Sequence, residues 1–208
     1  MRGAAPADKR IRLVEAGTLV QNVETLAHLA LIARHGPGWF LSAGTFLATV
    51  SGAVARPSVV EARYGVPLGE LIAAAGGATE HLQAVLVGGY HGGWVPADPA
   101  LPVSREALAP FGAAPGAGVV VALPAHACGL AETAKIVDYL AGQVAGQCGP
   151  CVNGLPRMAG TLADLAAGRP RPGLPGEAAR LVLSAMRAFE ADAAAHLNGR
   201  CLATGGRL

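Results

Sequence analysis

Gln147-Cys148-Gly149-Pro150-Cys151 lies at the point where a β-rich part of this chain gives way to a helical part. The stretch contains two of the four cysteines in the chain. A Cys-x-x-Cys pair can bind an iron-sulfur cluster, form half of a zinc site, act as a redox dithiol, or have no special chemistry. The residues on either side of the pair have to decide between these interpretations.

Composition excludes several classes of protein. The 208 residues are 52% hydrophobic and 14% charged, with a formal net charge of +2, so the chain can form a folded core. No cluster of Lys and Arg alternates with aromatic residues, and we predict no nucleic-acid partner. The apolar stretches are interrupted before the roughly 18 residues of a membrane span, and no signal peptide is recognisable. We therefore predict a cytoplasmic protein, in which a cysteine pair is more typical of metal or redox sites than of a disulfide.

The residues before the cysteine pair predict a small sheet that holds one helix. A first helix is predicted over Leu26 to Ile32, after a polar start at Asn22 and before a Gly-Pro-Gly stop. Beyond it, short β-rich segments at 46–51, 59–62 and 82–87 flank a helix that ends at a glycine pair. The order strand, strand, helix, strand is typical of a β-grasp domain.

Histidines and glycines in this part are interpreted as structural. His28 and His35 lie on the first predicted helix without a thiol or carboxylate nearby, so we do not expect them to be ligands. The glycines at 88, 89, 92 and 93 precede Trp94-Val95-Pro96, which does not start a helix. A phosphate-binding loop should open onto a helix N-terminus. We expect a tight loop instead, with Tyr90, His91 and Trp94 packing locally.

The second half of the chain is predicted to be helical after one more strand at 118–123. Apolar residues recur at helical spacing after Pro124, again from Leu155 to Leu165, and in a third helix over 178–197. The predicted fold class is α+β, with a small β-grasp (ubiquitin-like) domain followed by an α-helical bundle. The predicted segments are a flexible lead-in at 1–17, a helical segment at 18–44, the β-grasp domain at 45–100, a linker and strand at 101–123, the helical bundle at 124–200, and a C-terminal tail at 201–208.

Several separate motifs carry a resemblance to a known family. In order along the chain they are Thr18-Leu19-Val20-Gln21-Asn22-Val23-Glu24-Thr25-Leu26, Val50-Ser51-Gly52, Pro67-Leu68 and Gly146-Gln147-Cys148-Gly149-Pro150-Cys151. Together they resemble the C-terminal portion of the flavin-carrying, NADH-binding subunit of respiratory complex I and of related dehydrogenases and hydrogenases. The resemblance implies that the β-grasp part is an SLBB domain. It also implies that the helical bundle is of the type that holds a [4Fe-4S] cluster.

The cluster ligands implied by the resemblance are only partly present. Cys148 and Cys151 match the second and third cysteines of the family motif, while Ala145 stands at the position of the first. The fourth family cysteine lies between the last two helices, where this chain has a Pro- and Gly-rich segment instead. Cys201, after the last helix, is a candidate substitute ligand. The predicted metal ligands are therefore Cys148, Cys151 and Cys201, and Cys128 is interpreted as a buried apolar residue.

The flavin and NADH sites of the family are not complete in this chain. They lie in an N-terminal domain with a glycine-rich loop, and the residues before Thr18 cannot form it. Asn22 matches an asparagine that lies against the flavin in the family, so it is the one predicted cofactor-binding residue. The resemblance thus favours an electron-transfer module that works with a separate flavoprotein or another redox subunit.

Two other functions remain open at the sequence level. The chain could be a cofactor-free binding or assembly module with a degenerate cluster site. Cys-Gly-Pro-Cys is also the active-site motif of dithiol oxidoreductases, although those proteins present it after a strand and here a long helix is predicted before it. Half a zinc site is a further interpretation of the pair, but no paired histidines at short spacing follow it. No nucleophile and base at recognisable spacing predict other substrate chemistry.

Overall fold

The computed structural model describes residues 21–147, 149–169 and 180–203. The chain divides into two compact units, with the boundary in sequence between Thr45 and Phe46. The fold is α+β, with five strands and with helices before, between and after them in sequence, so the predicted fold class is confirmed. Among the described residues, no helix is both long enough and apolar enough to span a membrane.

The first unit contains helices α1 (Val23–His35) and α2 (Pro37–Ala43). The predicted helix is α1, and Asn22 is its N-cap, because the Asn22 Oδ1 accepts a hydrogen bond of 2.8 Å from the Glu24 N–H. Gly36, at φ +83°, ends α1. Pro37 then starts α2, since proline is tolerated in the first turn of a helix. We did not predict this helix. Both histidines of α1 lie against aromatic rings of α2.

The second unit is built around one five-stranded sheet. Its strands are β1 (Thr45–Gly52), β2 (Ser58–Arg63), β3 (Leu82–Val87), β4 (Gly93–Pro96) and β5 (Val119–Pro124), in the spatial order β2-β1-β5-β3-β4. Strands β1 and β5 are parallel, whereas β3 is antiparallel to β5 and β4. The strand that we grouped with a linker is thus the central strand of the sheet, where a β-branched run can be covered on both faces.

The two faces of this sheet belong to two different cores. Successive side chains of a strand point to opposite faces, so one strand can serve both. One core contains α3 (Leu68–Ala74) with inward side chains of the sheet, and the short α4 (Arg105–Leu108) closes its edge. The other core contains the helical bundle. The sheet residues that face α3 include Val85, Val87, Val95, Val120 and Ala122, and those that face the bundle are Ala84, Leu86, Trp94 and Leu123.

The bundle consists of α5 (Gly129–Gly142), α6 (Leu155–Ala166), α7 (Arg180–Ala188) and α8 (Glu190–His196). The helix predicted over 178–197 is two helices in its described part, because the backbone leaves helical geometry at Phe189 (φ −118°, ψ 31°). The Phe189 side chain is buried and packs edge-on against Trp94, with ring centroids 5.3 Å apart. The break therefore lets Phe189 reach the sheet.

Trp94 joins the sheet to the bundle. Its indole Nε1 donates to Thr133 Oγ1 of α5 at 2.9 Å, and its backbone N–H donates to Ser184 Oγ of α7 at 3.0 Å. We expected Trp94 to pack locally in a glycine loop, and this was wrong, because its partners come from helices far along the chain. The tight glycine turn itself is present, since a Cβ on Gly92 would collide with the Val87 carbonyl oxygen.

Candidate metal centres

The cysteine pair lies at the junction of α5 and α6. Helix α5 ends at Gly142, and a loop leads through Gly146, at φ +75°, to the motif. Cys148 lies outside the described residues. Cys151 is exposed in a π-helical turn, Pro150–Gly154, that runs directly into α6. Such wide turns occur frequently at functional sites. The motif follows a helix and not a strand, unlike the arrangement of dithiol oxidoreductases.

Cys151 lines a cavity of about 430 Å³ at this end of the bundle. The cavity wall also contains Ala145, the residue at the position of the first family cysteine. A second donor side chain, His91, reaches the same cavity from the turn between β3 and β4. The sequence does not predict that His91 and Cys151 line one cavity, because these residues are far apart in the chain. The rest of the wall is mainly formed by Leu140, Gln143, Val144, Gln147 and Leu155.

A second group of donor side chains lies elsewhere in the bundle. Cys128, Asp192, His196 and Cys201 place one ligand atom each within 4.8 Å of the others. Cys128 is the N-cap residue of α5, and Asp192 and His196 lie one turn apart on α8. The chain turns back after α8 at Gly199, at φ +67°, and this turn brings Cys201 to the group.

The contacts within this group are compact, and its centre is buried. The Cys128 Sγ lies 3.5 Å from Asp192 Oδ2 and 3.5 Å from His196 Nε2, and His196 Nε2 lies 3.5 Å from Asp192 Oδ1. Asp192 is 3% exposed and His196 is 0% exposed. The Leu202 N–H donates to Asp192 Oδ1 at 2.7 Å, and His196 Nδ1 lies 3.2 Å from the Leu165 carbonyl oxygen. Both buried side chains are thus oriented by the backbone.

The Cys128 thiol is held in its protonated form by its surroundings. The pKa of this thiol is raised from 9.0 to about 12, mainly by burial and also by the Asp192 carboxylate and Cys201, against a lowering effect of the Ala131 backbone N–H. Burial and neighbouring negative charge both disfavour a thiolate. In the absence of a cation, the Cys128 thiol therefore keeps its proton at neutral pH.

The structure places Cys151 and Cys201 at opposite ends of the α5–α6 pair. Cys201 lies with Cys128 at the start of α5, and His196 of the same group contacts Leu165 near the end of α6. Cys151 precedes α6, and at 1.5 Å per residue the helix separates it from Leu165 by roughly 20 Å. The structure therefore does not bring Cys201 to Cys151. Its role as a metal ligand stays a prediction, but with other partners than those we expected.

Two further predictions have a similar outcome. The proposed contact of Asn22 with a flavin stays a prediction, and the structure gives this side chain the local role of capping α1. Cys128, interpreted as a buried apolar residue, is partly buried against the bundle core and also belongs to the donor group, as do Asp192 and His196, which we missed. The spacing Asp-x-x-x-His, which puts two ligand types on one helix face, is the signal that could have identified this pair.

Two family models match the second unit, one in its sheet region and one in its helical bundle. Residues 47–89 match the SLBB domain, and residues 131–173 match the NADH-ubiquinone oxidoreductase-F iron-sulfur binding region. The resemblance to the NADH-binding subunits is confirmed. Over 171 residues the chain is 29% identical to an NADH-quinone oxidoreductase F subunit of Rhizobium meliloti, covering 77% of this chain and 41% of that protein.

The chain also matches part of a hydrogenase subunit and part of a chain in a solved hydrogenase structure. The chain is 29% identical over 154 residues to the HndC subunit of the NADP-reducing hydrogenase of Solidesulfovibrio fructosivorans, covering 69% of this chain and 31% of that subunit. A chain of an NAD⁺-reducing [NiFe]-hydrogenase in its H2-reduced state superimposes with a TM-score of 0.61 at 34% identity, over 72% of this chain and 27% of that one. The chain thus spans well under half the length of these relatives.

Proposed function

We propose that this chain is an iron-sulfur electron-transfer module that receives electrons from a separate flavoprotein. The observation that carries the proposal is the match of residues 131–173 to the iron-sulfur binding region, together with Cys151 in a π-helical turn beside a cavity. The relatives with similar regions are named as subunits of NADH-quinone oxidoreductases and hydrogenases. The electron donor, the acceptor and the cytoplasmic location belong to the proposal.

The donors at this end fit a [4Fe-4S] cluster only if a ligand other than cysteine takes part. Cys148 and Cys151 supply two thiolates, and Ala145 on the cavity wall supplies none. His91 lines the same cavity, and imidazole replaces cysteine at some iron-sulfur centres. We propose Cys148, Cys151 and His91 as protein ligands. When bound, such a cluster supplies one-electron transfer at a potential set by ligand type, solvent exposure and hydrogen bonds to sulfur.

The proposed cluster site would be accessible from solvent, because those of its ligands that the structure describes lie at the protein surface. Cys151 is exposed, and so is His91, whereas the apolar wall of the cavity is formed by Leu140, Val144 and Leu155. An exposed ligand gives a partner protein access to the site. The proposal therefore places the docking surface for the redox partner at the α5–α6 junction.

Anaerobic reconstitution tests the proposal. We expect the full-length chain, supplied with iron and sulfide, to retain both and to show a broad visible absorption band that bleaches on reduction. Cys148→Ser and Cys151→Ser should remove most of the band, and His91→Ala should lower the iron content or change the electron paramagnetic resonance signal. Cys201→Ser is the matched control and should keep the band, because Cys201 lies at the other end of the bundle.

The same preparation distinguishes the two alternative functions. Folded protein that binds neither iron nor sulfide would overturn the relay and favour a cofactor-free binding or assembly module. A Cys148–Cys151 disulfide that forms and reduces reversibly in a redox titration, without iron binding, would favour a dithiol oxidoreductase. The α5 helix before the motif is the structural observation against that second alternative.

A further inference from the structure

We propose that Cys128, Asp192, His196 and Cys201 bind one zinc ion, in a site separate from the cysteine pair. The site ties the start of α5 and the segment after α8 together at the end of the bundle away from Cys151. Binding would displace the thiol protons of Cys128 and Cys201 into solvent, so Zn²⁺ would be held by two thiolates, one carboxylate and one neutral imidazole.

The separations between donor atoms are those of ligands around one small ion. With zinc bonds of about 2.0 Å to nitrogen or oxygen and about 2.3 Å to sulfur, tetrahedral ligand atoms lie about 3.3–3.8 Å apart. The three separations between Cys128, Asp192 and His196 are 3.5 Å each, and Cys201 lies within 4.8 Å of these atoms. A cluster of several irons would spread its ligands around a wider core.

The histidine is already set in the form that binds a metal. Its Nδ1 lies 3.2 Å from the Leu165 carbonyl oxygen, which can only accept a hydrogen bond. Nδ1 therefore carries a proton, and Nε2 faces Cys128 and Asp192, where its lone pair can bind a metal ion in the neutral imidazole. Metal-binding histidines commonly have such a backbone partner on the other ring nitrogen. Asp192 is oriented in the same way by the Leu202 N–H.

A buried hydrogen-bonded pair without metal explains the group less well. The separation of 3.5 Å between His196 Nε2 and Asp192 Oδ1 is long for a hydrogen bond between nitrogen and oxygen. Within the described part of the chain, no Lys or Arg side chain pairs with the Asp192 carboxylate, which is 3% exposed. The donors to this carboxylate are the Leu202 N–H and the Cys128 thiol, both uncharged, and a bound cation would compensate its buried charge.

The donor types select zinc and a structural role. Two sulfurs with nitrogen and oxygen donors in a compact group are typical of tetrahedral zinc. Four protein ligands leave no position for substrate, which distinguishes structural from catalytic zinc sites. The ligands come from three separate parts of the unit, so the ion would fasten the end of the chain to the first turn of α5.

The test uses the full-length chain expressed in zinc-supplemented medium. We expect about one zinc per chain by elemental analysis, and replacement by Co²⁺ should give the intense visible bands of tetrahedral cobalt with sulfur-to-cobalt charge transfer. Cys201→Ser and Asp192→Asn should lower the metal content at least severalfold. Cys151→Ser and Cys148→Ser are the matched controls, and they should keep the zinc while losing any iron.

Two outcomes would overturn the site. One is a folded wild-type chain that binds neither zinc nor cobalt, as measured without any variant. The other is a Cys128–Cys201 disulfide, found by mass spectrometry of protein purified under reducing conditions. Because the iron readout depends on the cysteine pair and the zinc readout does not, failure of one proposal is distinguishable from failure of the other.

Discussion

Each end of the α5–α6 pair has a group of possible metal ligands, and the two groups differ in how easily the sequence reveals them. At one end, Cys151 belongs to a short contiguous motif and is exposed beside a cavity. At the other end, Cys128, Asp192, His196 and Cys201 come from distant parts of the chain, and the two residues of α8 are buried. The contiguous motif is obvious in sequence, while the dispersed group has the more complete set of ligands. A recognisable motif and a complete site are therefore separate properties of this bundle.

The largest difference between the two ends should appear in stability. His196→Ala removes a fully buried side chain and leaves the buried Asp192 carboxylate with one partner fewer, which should cost about 3 kcal/mol, the upper range for a buried polar group that loses a partner. Urea unfolding followed by circular dichroism measures this change. Cys151→Ser, at the exposed end, should lie within about 0.5 kcal/mol of wild type. Equal effects of the two substitutions would remove the contrast between the ends.

Thiol reactivity should differ next most strongly. In protein freed of metal with a chelator, Cys128 should react with iodoacetamide at pH 8 roughly a thousandfold more slowly than an ordinary cysteine, because only the thiolate reacts. Its pKa is raised to about 12, so the rate should keep rising through pH 9–11. Stability of the metal-free protein should fall over the same range, since the unfolded thiol ionises first. Peptide mass spectrometry measures the alkylation rate of Cys128 at each pH. An alkylation rate that levels off near pH 9 would contradict the raised pKa.

Overpacking beside Cys128 should have a smaller effect. A Cβ on Gly129 would collide with the buried Phe189 ring. Gly129→Ala should therefore destabilise the protein by about 1–3 kcal/mol, the usual range for inserting a methyl group into a packed core. Thermal unfolding measures the change. An unchanged midpoint would show that Phe189 and α5 can move apart at this end.

The smallest effect is expected between the two ends, in the middle of α6. A Cβ added at Gly160 would meet no neighbouring atom within 4 Å, and Gly160 lies in the interior of the helix. Gly160→Ala should stabilise the protein by about 0.5–1 kcal/mol, because alanine has the higher helix propensity. It is also the control for Gly129→Ala. A loss of stability would mean that this surface of α6 is covered.

Local pattern was sufficient for most of the longer elements and for the place of the cysteine motif between two helices. Alternating and β-branched residues marked the strands, helical spacing of leucines marked α5 and α6, and the Cys-x-x-Cys motif marked their junction. The same pattern could not predict that β5 is the central strand, because strand order depends on pairing between distant segments. It also could not predict the helix break at Phe189, whose contact with Trp94 spans much of the chain.

What the sequence determined by itself is therefore most of the longer elements, the α+β class and the resemblance to the NADH-binding subunits. The tertiary structure decided which donor atoms meet. Cys128 and Cys201 are separated by most of the helical bundle in sequence, and only the tertiary packing of its helices and the turn at Gly199 bring them together. Ligand geometry is a property of three-dimensional distance, and a motif shows it only when its residues are also neighbours in the chain.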